Sequence, residues 1–78
     1  MQIQTIFGQI LKEQREKAGL SQEDLAFEAD CNRTFVSMLE RGLRQPTLTT
    51  LIKLGRALNI PASNLVRLVE THSSSLDL

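Results

Sequence analysis

The chain has 78 residues, balances nine lysines and arginines against nine carboxylates, and is 41% hydrophobic. This describes one small domain of narrow stability, and argues against both wholesale disorder and a generic polyanion binder. A single cysteine rules out an internal disulfide framework and a cysteine-based zinc site. No apolar run is long enough to cross a membrane, and the N-terminus lacks the basic-then-apolar order of a signal peptide, so the expected compartment is the cytoplasm.

The neutral total hides an uneven distribution. Residues 1–30 carry a net charge of −3, residues 31–56 carry +4, and residues 57–78 carry −1. The middle holds Arg33, Arg41, Arg44, Lys53 and Arg56 against Glu40 alone. A basic stripe of this kind is either an electrostatic footprint for an anion or a solvated helix face.

Ile3, Ile6, Phe7, Ile10 and Leu11 recur at helical spacing, which predicts a first helix running to about Lys17 and ended by Gly19. Ser21 and Asp24 form a variant capping box that opens a second helix, from about Gln22 to Ala29, with Leu25, Ala26 and Ala29 inward. Asn32 is an N-cap, so a third helix starts at Arg33, and Gly42 stops it. Thr47 caps a fourth, whose Leu48, Leu51, Ile52, Leu54 and Leu58 form a broad apolar face. Pro61 suits the first position of a fifth, with Leu65, Leu68 and Val69 on one face and Val66 beside it. The expected fold is all-α: a compact five-helix domain over residues 1–71, with residues 72–78 as a flexible tail.

The third helix divides into two arcs. With Arg33 at zero and roughly 100° per residue, Ser37, Arg41, Thr34 and Met38 lie between roughly 40° and 140°. Phe35, Leu39, Val36 and Glu40 lie between roughly 200° and 340°. The second arc is core, with Glu40 at its edge. The first holds two arginines and two small hydroxyls and no acid. A short helix of this kind, behind another short helix and a tight turn, fits a recognition helix in a DNA major groove. Small hydroxyls allow close approach, arginine bonds guanine twice, and threonine meets the thymine methyl.

Residues 21–60, "SQEDLAFEADCNRTFVSMLERGLRQPTLTTLIKLGRALNI", resemble the helix-turn-helix family of phage repressor and Cro-like proteins. The matching features are Gln22, Leu25-Ala26, Glu40-Arg41-Gly42, Pro46 and the leucine-rich run from Leu51 to Leu58. The resemblance implies that Arg33, Thr34 and Ser37 read base edges of double-stranded DNA. It implies backbone contacts for Gln22, Asn32, Arg41 and Arg44. Phe35 sits at the border of the apolar arc and belongs either to the core or to a thymine methyl. Arg15 and Glu40 match a charged pair that joins the first and third helices in some phage repressors. Two departures are Asp30, where the turn usually has glycine, and Cys31, where a small branched apolar residue is usual. Asp tolerates a left-handed conformation, and a buried thiol behaves as a small hydrophobe.

Within the family, the single-domain length and "NRTFVSMLER" are similar to the controller proteins of restriction–modification systems. That resemblance implies a homodimer on a palindromic operator, controlling a restriction–modification operon that includes its own gene. Ile60, Leu65, Val66 and Val69, on the fifth helix and the end of the fourth, are the expected dimer interface, since they supply more apolar surface than so small a core needs; the alternative is that they belong to the core. An alternative is an antitoxin or Cro-like phage repressor acting partly through a protein partner. Glu23, Asp24 and Glu28 offer an acidic contact for RNA polymerase, although acids near a helix start also serve the helix dipole. No nucleophile–base pair, phosphate-cradling loop or metal constellation is evident, so neither an enzyme nor a cofactor is expected, and no Cys or His stands at metal-ligand spacing from His72 in the sequence.

Overall fold

The structure, a computed structural model, describes residues 2–72. Among them are five helices and no strand: α1 (Ile3–Lys17), α2 (Gln22–Glu28), α3 (Arg33–Glu40), α4 (Leu48–Leu58) and α5 (Ala62–Thr71). α1 packs on α3 and α5, α2 on α3 and α4, and α4 on α5. The core draws on all five: Ile6, Phe7, Ile10 and Leu11 from α1, Leu25 and Ala26 from α2, Val36 and Leu39 from α3, Leu54 and Leu58 from α4, Leu65 and Val69 from α5. Each fully buried large side chain contributes roughly 1.5–3 kcal/mol, which lets helices this short persist.

The predicted starts and stops hold closely. Ser21, Asn32 and Thr47 each accept a hydrogen bond from the backbone N–H three residues on. Four helix exits pass through a left-handed residue: Gly19, Asp30, Gly42 and Asn59. After each, a backbone N–H reaches back to an otherwise orphaned carbonyl, as Leu43 does to Met38 at 2.9 Å and Ile60 to Gly55 at 2.9 Å. α2 ends one residue early, with Ala29 as its C-cap. Pro61 is the N-cap of α5, not its first turn; its extended ψ of 141° keeps it outside the helix.

The facing of α4 and α5 departs from what a simple apolar face would give. Leu48 and Ile52 are 73% and 40% exposed, so the apolar face of α4 is wider than the core it covers. Leu65 is fully buried and Val69 nearly so, which makes both part of the chain's own core. Of the tail from residue 72, only His72 is described; it follows α5, and its Nδ1 lies 2.8 Å from the Leu68 carbonyl. Residues 73–78 lie outside the described residues.

Candidate nucleic-acid interface

The third helix is set in place by its first turn and by what lies beneath it. Asn32 Oδ1 accepts from the Phe35 N–H at 2.8 Å and fixes where the helix begins. The turn before it runs through Asp30 at φ 56°, which lets the Cys31 N–H return to the Ala26 carbonyl at 2.9 Å. Cys31 is half-buried against the core, and burial raises its thiol pKa, as befits a small hydrophobe. Val36 and Leu39 are fully buried, and Phe35 packs partly buried against the core, which favours its core role.

The opposite arc is open. Arg33 and Thr34 are exposed, and Ser37 and Met38 are half-exposed beside them. Arg41 is exposed at the C-cap, where its Nε donates a long bond to the Ser37 carbonyl at 3.4 Å. Arg44 is exposed in the following loop. The two arcs read from helical spacing are therefore the two sides of α3. No acidic side chain lies on the outward one.

At the edge of that surface is an ion pair. Arg15 Nε donates to Glu40 Oε2 at 2.6 Å and Nη2 donates to Oε1 at 3.1 Å, while Nη1 donates to the Leu20 carbonyl at 2.8 Å. The side chains are only 11% and 4% exposed, so the pair is desolvated. The Glu40 hydrogen bond is the main reason that the Arg15 pKa is raised further above its ordinary value. Gln22 joins the group: its Nε2 donates to Glu40 Oε1 at 3.0 Å. One carboxylate thus ties α1, the start of α2 and the end of α3.

Apolar side chains are also exposed away from α3. Leu48 and Ile52 on α4 and Val66 on α5 are exposed, and a groove of about 170 Å³ is lined by Val66 with Ile3, Phe7, Gln45, Pro46, Leu51 and Val69. Ile60 is half-buried against the core. Of the four residues expected at a dimer interface, only Val66 is exposed; Leu48 and Ile52, on the apolar face of α4, are exposed as well.

Three further features escaped sequence reading. Phe27 is 83% exposed on α2, on the same side as Glu23 one turn earlier. Gly8 lies where α1 crosses α3, and a Cβ there would meet the Leu39 and Glu40 carbonyl oxygens at 2.4 and 2.6 Å. The Gln22–Glu40 bond is the third. An aromatic beside acids in "EDLAFE" was a signal for the first; the other two depend on how helices cross, which local pattern does not contain. Among the described residues no cluster of His, Cys, Asp and Glu could hold a metal, and no helix is long and apolar enough to cross a membrane.

Comparison with known proteins agrees with this geometry. A helix-turn-helix family model matches residues 11–65. Control protein C.BamHI of Bacillus amyloliquefaciens is 40% identical over 65 residues, covering 82% of this chain and 80% of that protein. Control protein C.MunI of a Mycoplasma species is 42% identical over 65 residues, covering 82% and 88%. The crystal structure of the restriction–modification controller protein C.AhdI from Aeromonas hydrophila superposes with a TM-score of 0.78 at 44% identity, covering 80% of this chain and 90% of that one. The chain belongs to the helix-turn-helix family of DNA-binding transcriptional regulators, and within that family it is similar to the controller proteins of restriction–modification systems.

Proposed function

We propose that the protein binds a two-fold symmetric operator as a homodimer and regulates a restriction–modification operon that includes its own gene. The observation that carries this reading is the pairing of two uncovered surfaces on one small chain. One is the acid-free arc of Arg33, Thr34 and Ser37; the other is the exposed apolar side chains Leu48 and Ile52 of α4 and Val66 of α5. A single recognition helix spans only a few base pairs, so specificity requires a second copy, and a two-fold dimer dictates two half-sites. Arg33 reads guanine, Thr34 and Ser37 contact neighbouring base edges, and Gln22, Asn32, Arg41 and Arg44 hold the sugar-phosphate backbone. The test is selection of bound duplexes from a random pool at near-physiological salt. A symmetric motif with guanine in each half is the expected result; absence of enrichment overturns the reading in favour of a protein ligand.

A second activity is favoured by Phe27. A largely exposed aromatic flanked by Glu23, Asp24 and Glu28 suits contact with a basic protein surface, and RNA polymerase is the partner a promoter-bound activator meets. Glu23→Lys/Glu28→Lys and Phe27→Ser should each abolish activated transcription in vitro while operator binding persists. Activation that survives both removes this role.

A further inference from the structure

We infer that Glu40 is a positioning residue for DNA binding, which acts by holding the Gln22 amide ready for a phosphate, and that Arg15 makes this possible by neutralising it. The inference rests on the reading of Gln22 as a phosphate contact.

The chemistry is narrow. A carboxylate only accepts, so the side of the Gln22 amide that faces Glu40 must be the nitrogen, as its 3.0 Å bond requires. That bond uses one of two N–H groups. The second remains for an acceptor outside the protein, and a phosphate oxygen is one. A loose glutamine would have to be ordered when DNA arrives, at an entropic cost; here the ordering is complete at folding. A bare carboxylate beside a phosphate would repel it. Arg15 removes that penalty with a bidentate pair at 2.6 and 3.1 Å. Arg15 is itself held by the Leu20 carbonyl, immediately before the cap of α2. The ion pair therefore links the fold to a single DNA-facing amide.

The experiment uses the full chain and the duplex recovered by selection, or a mixed-sequence duplex at low salt if none is recovered. Gln22→Ala should weaken binding about five- to tenfold, the worth of one or two hydrogen bonds. The Arg15→Met/Glu40→Leu double variant replaces a desolvated pair with apolar side chains, an exchange that usually leaves a fold intact. It should melt near the parent temperature yet bind DNA measurably more weakly, by up to the loss seen in Gln22→Ala, and adding Gln22→Ala to it should cost less than it costs the parent. Full affinity in the double variant reduces the pair to a structural one and overturns the inference. Full affinity in Gln22→Ala instead removes the phosphate reading on which it stands. Should the double variant not fold, nitrogen-15 relaxation of side-chain amides decides on the unsubstituted protein. The Gln22 amide should be rigid before DNA is added; mobility equal to that of the exposed Gln9 overturns the inference.

Discussion

Arg33 is exposed, bonded to no acid among the described residues, and one residue inside the cap of α3. If it spans the two acceptors of a guanine, Arg33→Ala should cost about 1–3 kcal/mol and relax specificity at that base alone. Affinity measured across duplexes that vary each position checks this; a uniform loss would make Arg33 a phosphate contact. Asp30 tests the turn. Its φ of 56° is one that glycine adopts freely and alanine does not. Asp30→Ala should destabilise by about 1 kcal/mol, while Asp30→Gly should leave stability equal or higher, as read from denaturant midpoints. The 3.6 Å contact from Lys53 to Asp30 is solvent-exposed and will not reverse that order. The conformation of Asp30 and the cap at Asn32 were legible because each follows from local backbone chemistry. The bond from Gln22 to Glu40 was not, because 18 residues separate them and only the crossing of helices brings them together.

α2 has seven residues, too few to persist alone, and its capping box is correspondingly important. The Ser21 N–H donates to Asp24 Oδ2 at 3.1 Å, and the Asp24 N–H donates to Ser21 Oγ at 3.0 Å. The first of these bonds is the main cause of a lowered Asp24 pKa. A carboxylate depressed in the folded state contributes stability that is complete above its unfolded pKa and is lost as pH falls through the lower folded value. Asp24→Asn should therefore lower the melting temperature at neutral pH, and the gap from the parent should close in acid. α1 and α3 pose the opposite problem, contact without room. Alanine is favoured over glycine inside a helix by roughly 1 kcal/mol, yet Gly8→Ala should lower the melting temperature. Its methyl would press on the rigid backbone carbonyls of Leu39 and Glu40. Helix periodicity located the elements and their caps. It could not say that Leu48 and Ile52 lie beyond the core, because an apolar stripe looks the same whether its own chain or another molecule covers it.

For the whole molecule, the exposed apolar side chains of α4 and α5 are where the proposed homodimer is tested. Leu48, Ile52 and Val66 are open to solvent, so a charge there should leave the protomer folded. Ile52→Glu and Val66→Glu should give monomers in sedimentation at micromolar concentration, with melting little changed and operator affinity sharply reduced. Monomeric behaviour of the parent would instead remove the homodimer. Fold class and helix order were legible because each short element carries its own start and stop signals. Of the residues expected at a dimer interface, Val66 is exposed, whereas Leu65 and Val69 are buried in the core. The division of α3 has one more result. Val36 and Leu39 hold the helix while Arg33 and Thr34 touch nothing that holds the chain together, so substitution at the outward positions should rarely disturb folding. A lineage with this architecture can rewrite its operator one side chain at a time without passing through an unfolded ancestor. Regulators that share a host can thereby drift apart until neither answers the other's promoter.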